Sequence, residues 1–104
     1  RIIGRKPLDL MHANPLPQEL LPWELLGKDN VGLGFGLGSR VMMDVAASAG
    51  AGSVGEYGWA GAAQTYYWVG PAEDLVGLFM AQYMPGVALP DQAMRSLTSQ
   101  AIDD

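Results

Sequence analysis

The chain has 104 residues, of which 49% are hydrophobic and only 16% charged, with a formal net charge of −5 and no cysteine. This length suits one small domain, and the charged fraction lies below the roughly 25% of an average domain, so we expect part of the surface to be covered by a partner or by more of a larger protein. Disulfides and thiolate metal sites are excluded, the lack of a Lys/Arg cluster argues against nucleic-acid binding, and no apolar run is long enough to predict a membrane span.

The first thirty residues predict a short helix followed by a loop. Residues 7–14 are typical of a helix, because Pro7 suits a first helical turn and Pro15 stops the helix. Residues 15–30 contain three prolines and little periodicity, so they predict an extended loop that Trp23 and its apolar neighbours anchor.

The next segment, residues 31–44, alternates strictly and predicts one strand with a glycine-rich side. Since glycine weakens a strand, we expect another backbone or a helix to approach that side closely. Residues 45–55 predict a loop of small residues. The glycines that share the one side are Gly32, Gly34, Gly36 and Gly38.

Two more strands are predicted, at residues 56–69 and 75–83, with a turn at 70–74 between them. The last strand is apolar on both sides, so we expect it to be central or covered, and Pro85-Gly86 would end it. Four methionines lie in or directly after the three predicted strands and are expected to fill the core: Met42, Met43, Met80 and Met84.

The chain ends in a second predicted helix, with Asp91 as its N-cap. The order helix, loop, three strands, helix predicts an α+β fold. Because the connections are short, we expect an antiparallel three-stranded meander with N- and C-terminal helices packed on it. The apolar side of the second helix comprises Ala93, Met94, Leu97, Ala101 and Ile102.

Three features suggest chemistry on their own, and each has a simpler interpretation. Residues 50–55 match G-x-G-x-x-G, but no helix start follows, so a flexible loop is favoured over nucleotide binding. Ser53 lies in a sequence close to a nucleophile elbow, yet the one histidine precedes it, which argues against a triad. His12 with Asp9 gives too few ligands for a metal, so a histidine on the helix surface is expected.

Residues 57–69, YGWAGAAQTYYWV, are glycine-rich at the start and β-rich at the end. They resemble the active-site strand of the serine β-lactamase-like hydrolases, the family of penicillin-binding proteins, class C β-lactamases and related esterases. Three other segments resemble the same family: RKPLDLMHANPLP, GLGFGLGSRVMMD and QAMRSLTSQAID. The resemblance implies that residues 1–104 are a single partial domain, the C-terminal part of a β-lactamase/transpeptidase-like fold.

The resemblance also implies a site. Family members carry a strand motif that is Lys-Thr-Gly in the lactamases and often similar to Trp-Gly-Gly in the esterases. Trp59, Ala60 and Gly61 stand at that position and would bind substrate, and the backbone N–H of Ala62 would be half of an oxyanion hole. Trp59 in place of lysine favours neutral esters or amides, whereas Ala60 departs from the family pattern.

The other two catalytic elements of the family are missing. None of the five serines has a lysine three residues on, and no tyrosine has an asparagine two residues on. We therefore expect this chain alone to be inactive, and the whole protein to be a serine hydrolase acting on a small ester or amide, without cofactor or metal. Its partner would be the missing N-terminal part or a second copy, since the start at Arg1, without a signal peptide, is expected to be internal, processed or trimmed.

Two alternatives to the hydrolase stay open. The first is a non-catalytic, stand-alone binding or oligomerisation module that has kept the sheet and lost the chemistry. The second is nucleotide binding at residues 50–55, which a nucleotide titration would test.

Overall fold

A computed structural model describes residues 1–84 and 91–103. In this part of the chain, a five-stranded antiparallel sheet and a separate two-stranded hairpin combine with helices near both ends of the sequence. The elements are α1 (Arg5–Met11), a 3-10 turn (Gln18–Leu20), β1 (Glu24–Leu25), β2 (Lys28–Asp29), β3 (Leu33–Phe35), β4 (Arg40–Met42), α2 (Val45–Ser48), β5 (Tyr57–Ala60), β6 (Tyr66–Gly70), β7 (Leu75–Phe79) and α3 (Asp91–Gln100).

The large sheet is a simple meander in which each strand pairs with the next, in the order β3-β4-β5-β6-β7. This confirms an antiparallel α+β architecture, but the prediction of three strands was wrong. Two of the predicted strands each fold back into a hairpin. The first turns where the Gly36 N–H donates to the Ser39 carbonyl at 2.8 Å, and the second where the Gly61 N–H donates to the Thr65 carbonyl, also at 2.8 Å.

The prediction of a loop at residues 15–30 was wrong in part, because this segment contains the 3-10 turn and the β1–β2 hairpin. The two end helices and the last strand follow the predicted order with shifted bounds. The first helix starts before Pro7, and β7 ends at Phe79, earlier than expected. The last helix has Asp91 as its first residue, one position earlier than an N-cap at Asp91 predicts. The predicted loop at 45–55 begins with α2, which starts because the Asp44 carboxylate accepts a hydrogen bond from the Ala47 N–H at 3.0 Å. The side chain of Asp91 and the predicted strand end at Pro85-Gly86 lie outside the described residues.

The glycines at positions 34 and 36 lie beneath the end of α1. The Asn14 carboxamide packs on Gly34, and its Oδ1 accepts a hydrogen bond from the Phe35 N–H at 3.2 Å. The Met11 carbonyl lies against Gly36 and accepts from the Leu37 N–H at 2.9 Å. A side chain at either glycine would overlap these atoms. The predicted close approach of another backbone is confirmed at Gly36, whereas Gly34 meets a side chain and a Cβ at Gly38 would have no neighbour within 4 Å among the described residues.

One side of the sheet is closed around Trp68, whose side chain is 3% exposed. The register places Gly58 and Gly77 on either side of it, and the indole lies directly over Gly77. Helix α3 lies on this side, where Arg95 forms an ion pair with Glu56 and borders a small pocket together with Trp68. We call this the closed side of the sheet.

The opposite side is covered at β4, where Val41 is 2% exposed. Farther along, it carries Trp59, Tyr67 and Leu78 in one row of paired residues, and we call this uncovered part the open side. Leu78 is 61% exposed and the neighbouring Met80 is 76% exposed. The expectation that the third strand is covered on both sides is therefore wrong within the described residues.

Candidate functional site

Trp59 is held in place by an aromatic cluster at the open side of the sheet. The Phe35 ring meets it edge-on, with 5.2 Å between centroids, and Trp23 lies 6.2 Å away. Trp23 is itself fixed, because its Nε1–H donates to the Leu33 carbonyl at 3.0 Å. The predicted loop 15–30 thus orients the first residue of the candidate substrate-binding motif.

The motif continues out of the strand and into a tight turn. Ala60 is the last residue of β5, whereas Gly61 and Ala62 lie in the hairpin connection. The Gln64 N–H donates to the Gly61 carbonyl at 3.0 Å, so Ala62 occupies the second position of a β-turn. The sequence predicted that Ala62 lies within a strand, which is wrong because the chain reverses at Gly61.

Position two of such a turn leaves its amide pointing away from the turn's own hydrogen bond. Ala62 is exposed, and its N–H meets no acceptor in residues 1–84 and 91–103. The turn is braced from two sides. The Tyr66 hydroxyl donates to the Gln64 Oε1 at 2.6 Å, and the Tyr83 N–H donates to the Ala63 carbonyl at 3.2 Å. A main-chain donor is therefore available on a supported turn.

An open, mostly apolar groove of about 280 Å³ lies beside this turn. Trp59, Ala60 and Gly61 form one wall, as expected if they contact a ligand. The sequence did not identify the rest of the lining, because it comes from β6 and β7 through the register of the sheet. The additional lining residues are Thr65, Tyr66, Tyr67, Leu78 and Met80, none of which carries a charge.

The other side chains that could take part in catalysis are elsewhere. Ser53 lies in the loop before β5, where its hydroxyl donates to the Glu73 Oε1 at 2.8 Å, as in an ordinary surface contact. His12 is half-buried and stacks on Tyr57, with centroids 3.5 Å apart, so it is not the exposed helix residue that was expected. Burial lowers the pKa of His12, although a hydrogen bond to the Leu8 backbone opposes the shift.

The described residues contain neither a candidate metal site nor a candidate membrane span. No group of three or more His, Cys, Asp or Glu side chains is placed to hold a metal ion. None of the helices in this part of the chain combines the length and the apolar composition of a membrane span.

Comparison with known proteins gives relatives whose names carry no function. No family model matches the chain. Two proteins of Mycobacterium tuberculosis are each 32% identical to it over 93 residues: "Uncharacterized protein MT1414" of strain CDC 1551 / Oshkosh and "Protein Rv1367c" of strain ATCC 25618 / H37Rv. Each match covers 86% of this chain but only 23% of the relative, so the chain spans about a quarter of the curated proteins it matches.

Proposed function

We propose that this chain is the C-terminal, substrate-facing part of a serine β-lactamase-like hydrolase that cleaves an ester or amide through an acyl-serine. Its sheet would then be the end of a β-lactamase/transpeptidase-like fold. The observation that carries the proposal is an exposed, unpaired Ala62 N–H beside an apolar groove whose wall is Trp59, Ala60 and Gly61.

The proposed role of Ala62 is to stabilise charge. When a serine attacks a carbonyl, negative charge develops on the carbonyl oxygen, and a fixed backbone N–H aimed at that position lowers the barrier. The donor costs little to organise, because the turn already leaves it unpaired. In the proposed enzyme, the nucleophile's own N–H would supply the second donor.

The groove supports a neutral substrate. Its described lining contains no charged side chain, and Trp59 stands where the lactamases have a lysine that can hold a substrate carboxylate. An uncharged acyl or alkyl group would bury apolar surface against Trp59 and Leu78, at roughly 0.8 kcal/mol per methylene. Esters and amides without a carboxylate beside the reacting carbonyl are therefore the proposed substrates.

The nucleophile would come from the missing N-terminal part of the same protein. A Ser-x-x-Lys motif is required and does not occur in these 104 residues. Two observations support a larger body: the relatives are about four times as long as the matched region, and Val76 and Leu78 expose apolar side chains on the open side of the sheet. That surface is where the rest of the protein would pack.

The test uses the full gene product that contains this sequence. A fluorophosphonate probe should label one serine, and peptide mass spectrometry should find that serine three residues before a lysine. Labelling of no serine, with no ester hydrolysis, would contradict the proposed function.

A substitution then tests the donor. Ala62→Pro removes the N–H at a turn position that tolerates proline, so kcat should fall by about 10²–10³. Ala62→Gly keeps the N–H and is the matched control, with kcat expected to stay within a few-fold of the unaltered enzyme. Equal activity in the two variants would exclude Ala62 as the oxyanion donor and leave the hydrolase itself standing.

The second candidate is a stand-alone binding or oligomerisation module. The exposed apolar side chains of the open side favour it too, because a second copy would cover them as well as a larger body would. Sedimentation of the 104-residue chain and the sequence of the native gene distinguish the two. A stable dimer with no Ser-x-x-Lys anywhere in the natural protein would select the module.

A further inference from the structure

A second cavity, of about 290 Å³, lies beside α3, away from the Trp59 groove. Three of the chain's six Lys and Arg residues line it: Lys28 at the end of the β1–β2 hairpin, Arg40 on β4 and Arg95 on α3. Asp29 is the one carboxylate among the described lining residues. In a chain with a net charge of −5, this gathering of cations from three separate elements is the strongest local departure from the overall charge.

The glycine-rich loop noted in the sequence supplies another wall. Residues 48–51 line the cavity, beginning with Ser48, whose hydroxyl accepts a hydrogen bond from the Gly50 N–H at 3.3 Å. The Ala51 N–H meets no acceptor in the described ranges and is available to a ligand. Because β5 rather than a helix follows this loop, it lacks the helix N-terminus on which a dinucleotide fingerprint depends.

Arg95 is fixed at the edge of this cavity. Its Nη2 pairs with the Glu56 carboxylate, and the two side chains are only 14% and 9% exposed. The Arg95 Nε is buried without an acceptor in the part of the chain that the structure describes. A guanidinium carries five N–H donors, so one carboxylate satisfies only part of it. The cavity thus contains a rigid cation with hydrogen-bonding capacity in excess of its partner.

We propose that this cavity is a binding site for a small, multiply charged oxyanion, with phosphate as the type ligand. Lys28 and Arg40 attract the anion, Arg95 fixes one wall, and the Ala51 N–H donates from the loop. Planar guanidinium groups and backbone amides are the donors that recognise phosphate oxygens. The site is independent of the proposed hydrolase function and shares no lining residue with the Trp59 groove.

The experiment titrates inorganic phosphate into the ¹⁵N-labelled 104-residue chain and follows amide shifts by NMR. We expect saturable binding in the millimolar range, with shifts at residues 48–51. Lys28→Gln should weaken binding roughly two- to fivefold, the usual worth of an exposed charge pair. Arg40→Gln should weaken it about tenfold or more, as loss of a charge-assisted hydrogen bond does. Raising the ionic strength should weaken phosphate binding to the native chain and to both variants.

The control is Lys6→Gln, which removes the same charge from α1, outside the cavity lining. Phosphate affinity should be unchanged in this variant. Equal weakening by Lys6→Gln and Lys28→Gln, or no saturation by about 100 mM phosphate, would overturn the proposal. A folded spectrum of each variant excludes unfolding as the cause.

Two further titrations identify the source of the anion. If AMP binds more tightly than phosphate and shifts additional amides, the natural ligand is the phosphate group of a larger metabolite. AMP and phosphate of equal affinity would indicate recognition of the phosphate alone. Acetate that binds as well as phosphate would contradict the requirement for multiple charge and overturn the assignment.

Discussion

The closed and the open side of the five-stranded sheet both carry apolar side chains, but these are buried on the closed side and exposed on the open side. On the closed side, where α3 lies, Trp68 packs over Gly77 and is only 3% exposed. On the open side, Leu78, the next residue along the same strand, is 61% exposed. Tryptophan and leucine are both apolar, so side-chain type alone does not decide burial. What differs is whether a second layer covers the sheet at that point, since Val41, on the same side as Leu78 but at β4, is only 2% exposed.

This difference separates stability from recognition. The closed side excludes water from a large aromatic ring and from an ion pair, so it should contribute most of the folding free energy. The open side contributes little to stability and presents its apolar surface to something else. Substitutions that remove the same kind of group from each side therefore test the comparison directly.

Trp68→Ala should have the largest effect. Removing a fully packed indole destabilises a protein by about 3–5 kcal/mol, which is a large part of the stability of a small domain. Leu78→Ala on the same sheet is the matched control and should change the free energy of unfolding by no more than about 0.5 kcal/mol. Urea denaturation followed by circular dichroism measures both. Similar losses from the two variants would show that the open side is packed in solution.

The ion pair of the closed side gives the second test. Glu56→Gln leaves Arg95 without its charged partner in a nearly buried position, and we expect a loss of about 1.5–3 kcal/mol. Asp9→Asn is the control, because the Arg5–Asp9 pair is 4.0 Å long with side chains 69% and 56% exposed, and an exposed pair contributes less than about 0.5 kcal/mol. Salt should screen the exposed Arg5–Asp9 pair more than the nearly buried Arg95–Glu56 pair, so the loss caused by Glu56→Gln should change little with ionic strength. If Asp9→Asn costs as much as Glu56→Gln, burial is not what gives the closed pair its strength.

The sequence predicted the class of fold because the strand segments alternate and the end helices carry clear start and stop signals. It missed two of the five strands for a physical reason. The β5–β6 turn places Gln64 at φ 61°, a conformation usually taken by glycine, so no residue in the sequence signalled the reversal. The β3–β4 turn interrupts a pattern that keeps alternating through Leu37 and Ser39, so periodicity alone could not locate it.

The sequence predicted only those residues of the candidate site that are neighbours along the chain. Trp59, Ala60 and Gly61 are neighbours in sequence and line the groove together. Tyr67 and Leu78 join them through strand register, which depends on the turn that was missed. Burial also depends on tertiary contacts. Of the four methionines expected in the core, only Met42 is buried. Met80, on the open side, is exposed because no described element covers it.

The smallest expected effect concerns the place where α1 meets the sheet. His12 stacks on Tyr57, and burial lowers the pKa of the imidazole from 6.5, with a hydrogen bond to the Leu8 backbone acting in the opposite direction. The folded protein therefore binds this proton less readily than the unfolded chain does. Stability from a neutral His12 is complete above about pH 6.5 and is lost as the pH falls through the lowered folded pKa.

The test is urea denaturation of the native chain and of His12→Phe at several pH values between about 7.5 and 5, roughly a unit either side of the unfolded pKa. The variant keeps an aromatic ring on Tyr57 but cannot titrate. All other titrating groups are common to both proteins, so the difference between their pH profiles isolates His12. The native chain should lose stability relative to the variant on acidification. Parallel profiles would show that the imidazole is as solvated in the folded state as in the unfolded one, and a relative gain would mean that its protonated form is the one the fold prefers.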